Sequence, residues 1–423
     1  MPYHQQSTAP FLVPSLSQWQ VVSQLDRIGR PPIPFRVSHA SVEVLHIIEA
    51  LGILSKSTPS VTRSAITPHI WRSRIEPWIK ALLIASLIGD GASSSSINIH
   101  NFRAEALRLI PACLNTMIYA SFPFTLVDST DESYALTPQL QQLLAKTWLN
   151  VVREGQPTID SWSVLFMNLK HEPNSDVDMV DNHALRALGP DDASSFIRHV
   201  ASVVPRLPSM DTHEFSGFAA FMYLFADIAL KSRASPSQIP GLFQGIVGAT
   251  PLLSRLLTKL LRMKHDGERR RTDITEPVSL SAMFILTLAL DGPVPVSQAV
   301  ASGLLSIFFK RPHRLATLSG EPQKTMCALV NTVSRFIVYP EVLHEFSRAV
   351  RKGEPNFNSD MCSASLLWEC WRNCLEKAAY VYDVRQNLKS RGALYRCSVA
   401  AVEPSSSYLL SSTSTDPLFV IVC

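Results

Sequence analysis

The strongest constraint on how this chain folds is the order of its apolar residues. They recur in stripe after stripe at helical spacing, broken by Pro, Gly and Ser, with no convincing run of strand-type alternation. Ser41 to Ser55 carries Val44, Leu45, Ile47, Ile48, Leu51 and Ile53. Ile70 to Ile88 carries Trp71, Ile75, Trp78, Ile79, Leu82, Leu83 and Leu87. Phe102 to Phe122 resumes the pattern across Pro111, which is expected to kink or split it. Thr137 to Glu154 begins with a capping residue followed by Pro138 at the first helical position. Further stripes cover Ile159–Leu169, Ala193–Val204, Thr212–Ser232, Ile239–Met263, Ser279–Leu290, Val296–Lys310, Gln323–Val338, Glu341–Lys352 and Ser363–Lys389.

This predicts an all-α protein of roughly thirteen or more helices with no substantial sheet. The commonest unit is a pair of helices, as in Pro277–Pro312 and Gly320–Gly353. Helix pairs of about 40–47 residues build armadillo and HEAT-like stacks. The text His213-Glu-Phe-Ser216 returns as His344-Glu-Phe-Ser347, 131 residues on, a distance of three units of about 44. The expectation is an irregular armadillo/HEAT-like array of helix pairs, with an irregular all-α domain as the other arrangement. Three regions are expected. Residues 1–35 form a Pro/Ser-rich segment with one short helix, Ser17 to Ile28. Residues 36–392 form the helical region, with a long acidic loop near 171–192. Residues 393–423 form a low-complexity, disordered tail.

At 423 residues the chain exceeds the size at which one core stops growing, so two domains or an elongated stack are expected. Charged residues make up 17%, below the ~25% usual for globular domains, which argues for much buried helix surface. A net charge of +4 is too mild to imply a nucleic-acid partner. The most apolar stretch, Val278 to Leu290, is 13 residues long, against the ~20 needed to span a bilayer. No membrane span is expected. The N-terminal residues have no basic region and no signal core. Seven cysteines at irregular spacings do not form a disulfide framework, so a cytoplasmic or nuclear location is expected.

Catalytic spacings are absent. There is no phosphate-cradling Gly-x-x-x-x-Gly-Lys-Ser/Thr and no Gly-x-Ser-x-Gly elbow. The two His-Glu pairs lack the second histidine of a zinc protease; Gly217 and Arg348 stand there instead. The cluster Gly241, Gly245 and Gly248 reads as small residues at a helix–helix contact. The acidic residues Glu172, Asp176, Asp178, Asp181, Asp191 and Asp192 lack the rhythm of a calcium loop and read as a solvated insertion. The basic run Lys264 to Arg271, with Asp266 and Glu268 inside it, reads as a solvated helix end. Cys370 and Cys374 lie one helical turn apart. The stripe Leu367, Trp371, Cys374, Ala378, Tyr382 places Cys374 on a buried face as a small hydrophobe.

The chain changes character after Tyr395-Arg-Cys397-Ser398. Its last 26 residues hold seven Ser and two charged side chains, Glu403 and Asp416. Together with Trp368-Glu-Cys-Trp-Arg-Asn-Cys374, this text resembles fungal proteins that carry a long helical region and a C-terminal MYND zinc finger. The resemblance implies that Cys397 is the first zinc ligand of such a finger. Position 400 is Ala where the pattern has the second cysteine, and only Cys423 and no histidine follows. A structural zinc site takes four N/S ligands. Cys397 is therefore a vestigial ligand candidate only, and no metal, cofactor or catalytic residue is expected. On this resemblance the finger is truncated or lost; the other account is chance agreement of four residues. The expected function is a non-enzymatic protein–protein interaction scaffold, with a MYND-type regulatory protein as the alternative. The sequence does not specify an oligomeric state.

Overall fold

The computed structural model describes residues 42–88, 97–119, 124–125, 134–135, 137–170, 189–231, 242–243, 246–263, 274–310, 315, 318–353 and 365–390, with isolated positions at 23, 27 and 31. The segments 1–35 and 393–423, apart from those three positions, lie outside the described residues, as does Cys397.

In chain order the helices begin with α1 (Val42–Leu54), α2 (Pro59–Ala65), α3 (Glu76–Ile88), α4 (Ile97–Tyr119) and α5 (Pro138–Glu154). They continue with α6 (Ile159–Lys170), α7 (Pro190–Val203), α8 (Thr212–Lys231), α9 (Ala249–Arg262) and α10 (Thr275–Ala289). The last are α11 (Pro293–Ala301), α12 (Ser306–Lys310), α13 (Gly320–Phe336), α14 (Pro340–Gly353) and α15 (Leu366–Ser390). A helical turn, Pro68–Ile70, and a π-helical segment, Trp71–Ile75, lead into α3. Among the described residues the extended structure is one pair of two-residue strands, β1 (Phe124–Thr125) and β2 (Tyr134–Ala135). They run parallel, with Phe124 opposite Tyr134. The protein is all-α.

The helices alternate between two rows. One row is α1, α4, α6, α8, α10, α13 and α15, each packed on the next. The other is α3, α5, α7, α9, α11 and α14, likewise in sequence. The short α2 sits on α4, and α12 sits against α9 and α14. A continuous apolar core runs from Val44 to Ala378. Its middle is aromatic. Phe196 of α7 stacks on Phe225 of α8 at 4.2 Å between ring centroids and tilts against Phe284 of α10 at 5.2 Å. Such pairs add about 0.5–1.5 kcal/mol each beyond their buried area.

Local chemistry sets the helix ends. The Thr137 hydroxyl accepts from Leu140 N, Pro138 occupies the first turn, and Gly155 closes α5 in the left-handed region at φ 66°. α9 buries Leu253, Leu256, Leu257, Leu260 and Leu261, an i, i+3, i+4, i+7, i+8 stripe. Each such side chain contributes about 1.5–3 kcal/mol when fully buried.

Four expectations change. The stripe Ile239–Met263 is not one helix, because Gly248 stands at φ 86° immediately before α9. A Cβ there would meet no atom within 4 Å, so Gly248 serves backbone freedom and not a close helix contact. Val296–Lys310 is likewise divided, by Gly303 at φ 95° between α11 and α12. Pro111 does not split α4. Finally, the acidic stretch 171–192 is not loop to its end. Asp191 and Asp192 form the first turn of α7, where carboxylates complement the helix dipole. Glu172, Asp176, Asp178 and Asp181 lie outside the described residues.

Candidate functional site

The most polar cavity among those described is a cleft of about 380 Å³ where α6, α7 and α8 meet. Two glycines line it. Gly155 ends α5 at positive φ, and Gly217 lets α8 cross close to the start of α6. Asp160 in the first turn of α6 and His199 of α7 bond across the rows, Oδ1 to Nε2, at 3.0 Å. The Phe221 and His199 rings meet in a T-shaped pair at 4.6 Å between centroids. Arg206, His213 and Glu214 complete the polar wall.

Much of this polarity already has work within the fold. Glu214 N donates to Asp211 Oδ1 at 2.7 Å, and Asp211 N donates back to Glu214 Oε2 at 3.2 Å. This is a reciprocal cap on α8. The Arg206 Nε–H donates to the Ser202 carbonyl at 3.3 Å. The cleft thus offers polar groups for contact, built around one carboxylate–imidazole pair that ties the rows together.

A second depression, of about 200 Å³, lies between α11, α12 and α14 and is lined by Lys310, Glu345, Arg348 and Lys352. Glu345 pairs with Arg348 at 3.6 Å. A third is an open groove of about 460 Å³ between α14 and α15, with Phe346, Val350, Leu375, Ala378 and Tyr382 on its walls. Tyr380 and Leu388 are also exposed on α15.

The residues singled out in the sequence fall as follows. Trp71, Trp78, Trp148 and Trp162 are all fully buried, so they are core and not surface anchors. The repeated tetrapeptide does not mark equivalent positions. His213 opens α8 in one row and His344 lies in α14 of the other, though Phe215 and Phe346 are both buried. Of the cations before the basic run, Lys259 Nζ donates to the Val204 carbonyl at 2.8 Å, and Arg262 donates to Ser306 Oγ at 3.1 Å. The run Lys264–Arg271 lies outside the described residues. Leu367, Trp371, Cys374 and Ala378 are buried as read, but Tyr382 is 49% exposed, on the wall of the open groove between α14 and α15.

Half of the text that carries the MYND resemblance is used for packing. Trp371 stacks on Phe308 at 4.5 Å and meets Phe309 and Phe346 at 5.5 and 5.7 Å. Burial pushes the Cys374 thiol up to about 12, which disfavours the thiolate that a metal needs. Among the described residues no three His, Cys, Asp or Glu side chains converge as metal ligands, and no helix is long and apolar enough to cross a membrane. No family model matches the chain, and no curated protein matches it significantly.

Proposed function

We propose that this chain is a non-enzymatic scaffold for protein–protein interaction, its helix pairs stacked as in armadillo and HEAT-like arrays. The observation that carries this reading is the alternation of the two rows, each helix packing on the next member of its own row. The step shortens toward the C-terminal end of the second row, where α9, α11 and α14 begin at Ala249, Pro293 and Pro340, 44 and 47 residues apart. Hydrogen bonds between successive units repeat that step. Ser279 bonds Thr325 at 3.2 Å, 46 residues on, and Arg262 bonds Ser306, 44 residues on. Stacks of this kind use their long row faces to hold other proteins.

The groove between α14 and α15 is the favoured seat, because it combines an apolar floor with exposed Tyr382. Tyr is enriched at interfaces, where one end of the side chain stays wet. Selection of displayed peptides on the full chain tests the reading. Peptides should be enriched that lose at least tenfold in affinity for Val350→Glu or Ala379→Glu and are indifferent to a charge placed at exposed Leu45. Enrichment of none, or of peptides indifferent to every groove substitution, sinks it.

The alternative, a MYND-type regulatory protein, rests on Tyr395-Arg-Cys397-Ser398, since Trp371 and Cys374 already have a packing role. The other two reading frames after the Cys397 codon test it. If neither they nor a nearby exon encodes Cys-x-x-Cys with later His/Cys ligands, that kinship fails.

A further inference from the structure

α15 packs chiefly on α13 and touches α14 only lightly, so a furrow opens between α14 and α15. Its floor is Phe346 and Ala378, both buried, and its walls carry the half-buried Val350 and Leu375 and the exposed Tyr382. The place of this furrow follows from the rows. α11 lies against α9 of its own row and α10 of the other. By the same rule, a helix following α14 in the second row would lie against α14 and α15. Among the described residues no helix stands there. The groove is therefore the open end of the second row, apolar like the faces that its earlier members cover. Stacks of helix pairs need such an end covered.

The chain carries a cover of matching chemistry beyond α15. Residues 418–423, Leu-Phe-Val-Ile-Val-Cys, are six apolar side chains in succession, with no charge and no proline. A hexapeptide of this kind left in water tends to pair with copies of itself unless something covers it. Reach is ample. Tyr382 lies about 12 Å along the helix from the end of α15 at Ser390. The connecting residues 391–417 can span up to about 90 Å. The charges also match: Asp416 precedes the apolar run, and Arg351 stands on the groove wall.

We infer that residues 418–423 dock in cis in the groove between α14 and α15, with Asp416 meeting Arg351. In an extended segment alternate side chains share one face, so Phe419 and Ile421 enter the groove together. A tether of this kind keeps its ligand at an effective concentration of about a millimolar, so a contact of modest strength fills the groove. The docked segment caps the stack and closes the groove to other peptides. The closure rests on the scaffold reading; the docking does not.

Photo-crosslinking on the full chain tests the docking. Tyr382 is replaced by p-benzoylphenylalanine, an aromatic for an aromatic at an exposed position, and isotopically light and heavy chains are mixed before irradiation. Mass spectrometry should find the probe linked to residues 418–423 of its own chain, at least fivefold more than the same probe placed at exposed Leu45. Phe419→Asp with Ile421→Asp should cut the link at least fivefold. No link to 418–423, an equal yield from Leu45, or a link to Tyr408–Leu410 in its place overturns the inference. So does a link mainly between light and heavy chains, which would put a second copy in the groove. The displayed peptides that need the groove read the closure. They should bind the doubly substituted chain at least threefold more tightly than the unsubstituted one. Equal binding, with the link present, overturns the closure. If no peptide is enriched while the link forms, the scaffold reading fails and the docking stands.

Discussion

The indole Nε1–H of Trp162 donates to the main-chain carbonyl of Leu107 at 2.9 Å. Leu107 lies four residues before Pro111 in α4, so this carbonyl is the one that Pro111, lacking an N–H, leaves without its helical donor. A side chain from α6 supplies the missing bond, and α4 continues through the proline. Trp162→Phe should lower stability by about 1–3 kcal/mol in urea unfolding, because a buried carbonyl loses its partner. Pro111→Ala restores a main-chain donor, so the loss should shrink in that background. Equal losses in both backgrounds would mean that the indole only fills space.

Asp192 joins two helices as well as capping one. Its Oδ2 accepts from Gly189 N at 2.8 Å, and its Oδ1 accepts from Arg153 Nε of α5 at 2.5 Å. The carboxylate is 1% exposed while the Arg153 side chain is half in solvent. Asp192→Asn should cost about 2 kcal/mol in thermal or chemical unfolding, since the buried site loses its charge-assisted bonds. The cost should fall when Arg153→Met is already present.

A Cβ on Gly217 would lie 2.6 Å from the Asp160 Cβ and 3.4 Å from its backbone. Alanine favours a helix over glycine by about 1 kcal/mol. Here the obstacle is the base of the α6 helix, which has no flexible end to swing away. Gly217→Ala should therefore destabilise by a net ~1–2 kcal/mol, the overpacking term exceeding the propensity gain. A stabilised Gly217→Ala variant in a melting experiment would show that α6 and α8 slide apart freely.

Alkaline pH should loosen the fold through its buried thiols. Burial pushes Cys113 up to about 12, from a reference near 9. The folded state keeps its proton where the unfolded chain releases it. Stability is therefore retained below about pH 9 and lost as pH rises from there toward 12. At pH 10 the loss from Cys113 is on the order of 1 kcal/mol. Comparing the slope of stability against pH for wild type and Cys113→Ala measures it: the variant should be flatter between pH 9 and 11.

Where a structural decision is local, it is legible in the text. Thr137-Pro138 and Gly155 bound α5 in the sequence and in space, because capping needs only neighbouring residues. The periodic stripes likewise announced helices. They failed at Gly248 and Gly303, where apolar residues continue on both sides of a break that only backbone dihedrals reveal. Gly189-Pro190-Asp191-Asp192 holds a helix-start signal, hidden by the acidity of the residues before it. Pro111 reads as a breaker because the rescuing indole is far away in sequence.

The candidate sites were less legible still. Asp160 and His199 are 39 residues apart, in no motif. The His-Glu-Phe-Ser recurrence offered a repeat that the rows do not keep, because His213 lies in one row and His344 in the other.

By itself, the sequence determined the class of this protein: helices, because apolar residues recur every three to four positions and hydrogen bonding within a helix is local. Tertiary structure decided the rest. Which helices share a row and which carbonyl takes an indole proton depend on contacts between residues tens of positions apart. A period of 3.6 residues says which face of a helix is buried; it does not say against what.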